Sequence, residues 1–272
     1  MRARALCVAL IAMVLTSSAD ANEPVLLYAA GSLRAALNEV TDAFAAESGI
    51  KVEAKYGPSG TLRDEIAAGG RAQVFASANM EHPQSLAAAG KSGPVVMFAR
   101  NRLCALVRPG LSVTPETLLE IMLREDIKLG TSTPKADPSG DYAFAVFAKA
   151  DVVKSGSRKI LEQKAQQLTG GPSSAAGPSG RSVYGWHVAE GRADVFLTYC
   201  TGALMAQREN AGQQMVALPE PLAVGADYGL TVINDSPAAA SRFAQFIVSS
   251  KGQQILAKHG FSAPALSQGE QR

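Results

Sequence analysis

The sequence has little of the residue types from which catalytic and metal sites are usually built. Only three histidines, three cysteines and one tryptophan occur among its 272 residues. His82, His187 and His259 stand far apart and show no metal-ligand spacing. Neither a phosphate-binding P-loop nor a Gly-x-Ser-x-Gly nucleophile elbow is present. Since no nucleophile and base can be paired, we expect a protein that is not an enzyme and needs no cofactor.

A surplus of charge of one sign is also absent. The chain carries 26 Lys and Arg residues against 24 Asp and Glu residues, a formal net charge of +2. Nucleic-acid or anionic-membrane partners usually leave a strong basic surplus in the sequence. We therefore expect no nucleic-acid partner.

A long apolar run occurs only near the N-terminus. Arg2 and Arg4 precede an uncharged apolar stretch over residues 5–15, and Ala19-Asp20-Ala21 follows it. This order is typical of a cleaved secretory signal peptide, and the run is shorter than the ~20 residues that span a bilayer. We predict a signal peptide over residues 1–21 and a periplasmic mature protein.

Two cysteines remain after this cleavage. Cys104 and Cys200 would lie in an oxidising compartment, where thiols can pair. The sequence leaves two alternatives open, a disulfide between them or two separate buried thiols.

Strands and helices alternate along the first part of the mature chain. Strand patterns over residues 25–30, 51–56 and 73–77 are each followed by a helical pattern. One of these helices has Leu33, Leu37, Val40 and Phe44 on a single face. A β-α-β-α-β-α order predicts a parallel sheet covered by helices on both faces, an α/β fold.

A second unit of the same kind begins near residue 103. Strands are predicted over residues 103–107, 127–130, 194–199 and 228–233, and the Gly/Pro/Ser-rich residues 169–180 are predicted to form a loop. Helices are predicted over residues 115–123, 140–147, 157–167, 182–191, 237–249 and 251–259. We expect two lobes, residues 22–101 with 227–272 and residues 102–226, joined by two crossover strands that act as a hinge.

Four serines stand where a loop ends and a predicted helix begins: Ser32, Ser59, Ser139 and Ser182. For any one of them, helix capping is the commoner explanation. Together they favour a binding site, because ligands of open parallel sheets bind beyond the carboxyl ends of the strands. Helix N-termini offer free N–H groups and partial positive charge there, which suits an anion.

Several segments in this order resemble the periplasmic molybdate-binding proteins of ABC transporters over essentially the whole mature chain. They comprise residues 29–33, 56–60, 73–78, 137–143, 189–199 and 252–261. The resemblance implies a monomeric solute-binding protein with a two-lobed periplasmic-binding-protein fold. It would capture molybdate, and also tungstate, between its lobes and deliver it to the permease of an ABC importer.

The resemblance also assigns the ligand contacts. Ser32 and Ser59 would give hydroxyl and N–H donors, Ser139 a backbone N–H, and Tyr199 its phenol. The fifth contact aligns with Arg181, next to Ser182, where the family has a small apolar residue.

No residue would ligate the metal directly, because the oxyanion is held through its oxygens. Asp137 and Asp141, which flank Ser139, are expected to stabilise a helix N-terminus and to face away from a dianion. Alternatives are a different anion (sulfate, phosphate or a small carboxylate) and, less favoured, a secreted hydrolase.

Overall fold

A computed structural model describes residues 23–264, in which ten α-helices pack against nine β-strands. The predicted signal peptide lies outside the described residues. Within residues 23–264, no helix combines the length and apolar character needed to cross a membrane.

The first lobe is built on three parallel strands, in the order β2-β1-β3, extended by two antiparallel ones. Its strands are β1 (Val25–Ala30), β2 (Val52–Gly57) and β3 (Val74–Ser77), with β9 (Gly225–Val232) and the first half of β4 (Val96–Val107). Its helices are α1 (Arg34–Ser48), α2 (Ser59–Ala67), α3 (Glu81–Ala88), α9 (Ala238–Val248) and α10 (Ser250–Lys258).

The second lobe repeats this plan. Strands β6, β5 and β7 are parallel, and the second half of β4 and β8 complete the sheet in antiparallel pairing. Its other strands are β5 (Leu129–Ser132), β6 (Ala165–Thr169), β7 (Val195–Tyr199) and β8 (Gln214–Ala217). Its helices are α4 (Leu118–Leu123), α5 (Pro138–Val153), α6 (Ser157–Lys164), α7 (Val183–Ala189) and α8 (Cys200–Glu209).

Strand β4 belongs to both sheets. Its residues up to Arg102 pair with β9, and from Leu103 onward they pair with β7 and β8. This confirms the α/β fold with two lobes and two crossover strands. The residue limits of the lobes, 101/102 and 226/227, stay a prediction.

Helix α1 shows how apolar spacing determines packing. Leu37, Val40 and Phe44 are buried, as is Leu33 in the 3-10 turn before the helix, and this is the predicted apolar face. The helix ends at Gly49, which adopts a left-handed φ of 74° that glycine tolerates best.

Four sequence predictions of secondary structure need correction. The helix predicted over residues 157–167 ends at Lys164, and residues 165–169 form β6, because Gln166 and Gln167 pair with β5. The strand predicted from residue 103 begins at Val96. Helix α8 and strand β8 were not predicted at all. Each of these elements is stabilised by a partner distant in sequence, which local patterns do not reveal.

The two cysteines form a disulfide. Cys104 in β4 and Cys200 at the start of α8 are bonded, with Cα atoms 4.8 Å apart and a sequence separation of 96. The bond follows from the antiparallel pairing of β4 with β7, which places Cys104 opposite Thr198. It ties the exit of β7, and therefore Tyr199, to the shared strand.

Removing this disulfide should lower the free energy of unfolding by about 2–5 kcal/mol, the usual effect of a bond that closes a long loop. Urea unfolding of the oxidised protein with and without reductant measures the difference. The double variant Cys104→Ala/Cys200→Ala is the control and should not respond to reductant. A midpoint unaffected by reduction in the wild type would contradict the structural role of the bond.

Candidate functional site

The carboxyl ends of the parallel strands in the two lobes face each other. In contacts between the lobes, the Gly60 N–H donates to the carbonyl of Ala136 at 2.9 Å, and the Asn101 amide donates to Thr201 Oγ1 at 2.8 Å. A Cβ at Gly60 would collide with the backbone carbonyls of Lys135 and Ala136, so only glycine permits this approach. The predicted ligand loops therefore meet across one interface.

Ser59 precedes Gly60 at the start of α2 and is 1% exposed. Its hydroxyl accepts the N–H of Ala78 at 3.1 Å, and no side chain caps α2, whose N-cap is Pro58. The capping interpretation is therefore wrong for Ser59. The carbonyl of the same Ala78 accepts a hydrogen bond from the Tyr199 phenol at 3.5 Å, a long contact.

Ser32 belongs to a second polar group. Its hydroxyl lies 3.0 Å from the phenol oxygen of Tyr228, which is 3.4 Å from the Asn101 amide nitrogen. The Tyr228 ring packs against that of Tyr199, with centroids 5.6 Å apart. Sequence patterns missed Tyr228 and Asn101, since a single tyrosine or asparagine within a strand carries no distinctive motif.

Burial raises the pKa of both Tyr199 and Tyr228 above the usual range for a phenol. Each therefore keeps its proton at neutral pH and remains a hydrogen-bond donor.

Ser139 is fully buried at the start of α5. Its N–H donates to the carboxylate of Asp137 at 3.1 Å, so Asp137 is the N-cap of this helix and Ser139 is not. Its hydroxyl has no hydrogen-bond partner within the described residues. Asp141, in the first turn, accepts the N–H of Lys135 at 2.9 Å. Both carboxylates thus accept hydrogen bonds from backbone N–H groups at or just before the start of α5.

Ser182 does cap its helix, since its hydroxyl accepts the N–H of Gly185 at 3.2 Å. Its own N–H donates to both carboxylate oxygens of Glu209, at 2.9 and 3.0 Å. The N–H of Arg181 donates to the carbonyl of Pro178 at 3.3 Å, and the Arg181 residue is exposed. Helix capping is therefore the right explanation for one of the four serines.

A cleft of about 860 Å³ opens beside this interface. Ser32, Arg181 and Ser182 line it. Ser59 and Tyr199 do not line it. They are connected to Ser32 because both contact Ala78 and the Tyr199 ring packs against Tyr228, whose phenol lies beside the Ser32 hydroxyl. Five of the six predicted site residues therefore form an inner cluster (Ser32, Ser59 and Tyr199) and an outer cleft (Ser32, Arg181 and Ser182), and the sixth, Ser139, does not line the cleft.

Metal-ligating groups do not gather here. No cluster of three or more His, Cys, Asp or Glu side chains is found between residues 23 and 264 that could hold a metal ion. His82 and His187 are buried, and desolvation lowers the pKa of each, whereas His259 contacts Glu39 at 2.9 Å.

A family model described as "Bacterial extracellular solute-binding protein" matches residues 25–262. The chain belongs to this family. Solute-binding proteins of ABC importers deliver a small ligand to a membrane permease, and the protein is of this type.

Two curated relatives are similar along nearly their whole length. An uncharacterised protein of Pasteurella multocida is 33% identical and the alignment covers 86% of this chain and 97% of that one. A molybdate-binding protein of Mycobacterium bovis is 24% identical, with 88% and 85% covered.

Two solved structures share the fold. The periplasmic molybdate-binding protein of Azotobacter vinelandii superposes with a TM-score of 0.70 at 17% identity, covering 88% of this chain and 99% of that one. The sulfate-binding protein of Mycobacterium tuberculosis gives 0.70 at 20% identity, covering 89% and 88%. At these identities the likeness establishes the fold alone.

The different surroundings of two site serines predict different effects of the same substitution. Ser182→Ala should lower the free energy of unfolding by about 0.5–2 kcal/mol through loss of the cap. Ser139→Ala should leave it unchanged or raise it, because an unpaired buried hydroxyl is costly. Denaturant unfolding of both variants tests this. A larger loss for Ser139→Ala than for Ser182→Ala would contradict these roles.

Asp137 predicts a pH dependence of stability. Desolvation raises its pKa to about 6, against about 3.9 in an unfolded chain. The folded protein therefore binds more protons between these values, and this contribution to stability is lost as pH rises from about 4 to about 6. Asp137→Asn, which keeps an N-cap oxygen, should remove that part of the slope. The free energies of unfolding of the wild type and of Asp137→Asn at pH 4, 5, 6 and 7 measure this slope. Identical slopes for the two proteins would rule out the contribution of Asp137.

Proposed function

We propose that the protein captures a tetrahedral oxyanion, molybdate and also tungstate, at the interface of its lobes. The observation that supports this most is the convergence of neutral donors there. The hydroxyls of Ser32 and Ser59 and the phenols of Tyr199 and Tyr228 come from both lobes into one small region. Hydroxyls can turn to donate to an oxyanion once it arrives.

The start of α2 adds to this donor set. Ser59 and Gly60 are its first two residues, and their N–H groups lie at the positive end of the helix dipole. In the structure the Gly60 N–H is bound to the carbonyl of Ala136 in the other lobe. An entering oxyanion would take over this donor, so the lobes must first part.

Opening would occur where β4 and β9 pass between the sheets. Arg102 pairs with Gly225 and Asn101 with Ala226, so both strands cross at one level. Rotation about two such crossings is the usual hinge motion of two-lobed binding proteins. The contacts of Gly60 and Asn101 with the second lobe would break and re-form in each cycle.

The resemblance to molybdate-binding proteins selects the ion, supported by the named relative from Mycobacterium bovis. The alternative is another anion, and sulfate is a candidate because a sulfate-binding protein has a similar fold. Arg181, and Ser139 in place of the usual alanine, depart from the family pattern. Ser139 and Ser182 would join the site only if their N–H groups left Asp137 and Glu209.

In the cell, we propose that the protein acts as a monomer in the periplasm after cleavage near residue 21. No reaction on the ligand is part of the proposal, because capture and release suffice for delivery to a permease.

Titration calorimetry with molybdate, tungstate, sulfate and phosphate tests the ligand. We expect molybdate and tungstate to bind most tightly, because donors spaced for a larger ion stay partly unpaired around sulfate. Ser59→Ala should weaken molybdate binding about 10-fold or more, since a hydrogen bond to a charged group contributes ≈ 1.5–3 kcal/mol.

Ser48→Ala is the matched control. Its hydroxyl contacts the carbonyl of Phe44 and the N–H of Ile50 at the far end of α1, away from the site. This variant should lose stability without losing affinity. Tighter binding of sulfate or phosphate than of molybdate would overturn the ligand assignment.

A further inference from the structure

The cleft beside Ser32 is larger than a single tetrahedral oxyanion requires. Its volume is about 860 Å³. Such an ion occupies on the order of 100 Å³, scaled from the ≈ 30 Å³ share of one water molecule. Pockets for small organic ligands span roughly 300–1,000 Å³. The cleft therefore has room for a solute with a carbon skeleton.

Its walls carry a surplus of positive charge. Arg34, Arg181 and Arg208 line the cleft, and the carboxylate of Glu209 is the acidic group among its lining residues. Within residues 23–264, none of the three arginines forms an ion pair. Guanidinium groups bind carboxylates and phosphates through paired hydrogen bonds. Three unpaired arginines suit an anion with more than one charged group.

The other charged groups at the cleft already have partners. Glu209 accepts the N–H of Ser182, and His259 contacts Glu39. The Arg34 guanidinium lies 4.6 Å from the centre of the Tyr56 ring, a cation–π contact that fixes its position without neutralising it. The arginine charges therefore remain available to a ligand.

Apolar side chains complete the cleft. Leu204, Met205 and Phe261 line it, and Met205 is 40% exposed. An inorganic oxyanion gains nothing from such surfaces, whereas a carbon skeleton is stabilised when it covers them.

We propose that the cleft is a subsite for the organic part of a multiply charged small anion, bearing phosphate or carboxylate groups. Arg34 and Arg208 bind the charge distal to the inner cluster, and Met205 contacts the carbon skeleton. Ser32, which belongs to both regions, binds the head group. This inference rests on the proposed function for head-group capture at the lobe interface, and it names a wider solute class for that site.

Titration calorimetry with 3-phosphoglycerate and with citrate tests the subsite, with molybdate as the reference ion. The variant is Arg34→Gln/Arg208→Gln, which removes two charges of the cleft and none of the donors proposed for molybdate. We expect the wild type to bind at least one of the two organic anions. The double variant should bind it at least 10-fold more weakly, while its affinity for molybdate changes less than threefold.

Arg242→Gln serves as the matched control, because Arg242 is an exposed arginine on α9 that does not line the cleft. It should bind all ligands like the wild type. Thermal melts of each variant verify folding, and the single variant Arg208→Gln replaces the double one if Arg34 proves necessary for stability. Preference for 3-phosphoglycerate indicates a phosphate group, and preference for citrate indicates carboxylates alone.

The outcomes separate the two proposals. Binding of molybdate without either organic anion would overturn the subsite and leave the oxyanion proposal standing. Organic binding that the arginine substitutions do not weaken would also overturn the subsite. Arginine-dependent organic binding without molybdate binding would support the subsite and overturn molybdate as the ligand. Binding of none of the three anions would overturn both.

Discussion

The change of partner along β4 is the constraint on which the rest of the structure depends. A single strand pairs with β9 up to Arg102 and with β7 and β8 from Leu103. Because its backbone hydrogen bonds join β9 in the first sheet and β7 and β8 in the second, this strand connects the two sheets, and the proposed hinge motion would be a rotation about this crossing. The disulfide between Cys104 and Cys200 strengthens this point by tying β7 and α8 to the shared strand.

The interface between the lobes follows from that constraint. The carboxyl ends of three parallel strands in each lobe are directed at each other, so the loops after β1, β2, β3, β5 and β7 meet. Ser59 from one lobe accepts the N–H of Ala78, and Tyr199 from the other donates to its carbonyl. Hydroxyl groups and the N–H groups at the start of α2 dominate there, a chemistry that favours anions without requiring a cation. The three arginines that line the cleft lie farther out.

Three carboxylates near the site are engaged with backbone N–H donors. Asp137 caps α5, Asp141 accepts from Lys135, and Glu209 accepts from Ser182. Carboxylates held in this way neutralise the partial charge of their helix or loop termini. Asp137 also occupies the N–H of Ser139, which the family resemblance assigned to the ligand, and Glu209 occupies the N–H of Ser182, next to the aligned contact Arg181. Ligand binding there would have to compete with these intramolecular contacts.

The sequence by itself determined the α/β class, the two lobes and the alternation of elements, because apolar periodicity and helix boundaries are local properties. It also placed Ser32 and Ser59 at strand exits. It did not show that residues 165–169 form a strand, that β4 begins at Val96, or that Tyr228 and Asn101 join the site. Those features depend on partners up to 196 residues apart in the chain. Only the tertiary structure decided which serines cap a helix, whether the two cysteines pair, and that three arginines line one cleft. Each of these features requires contact between groups that are far apart in the sequence.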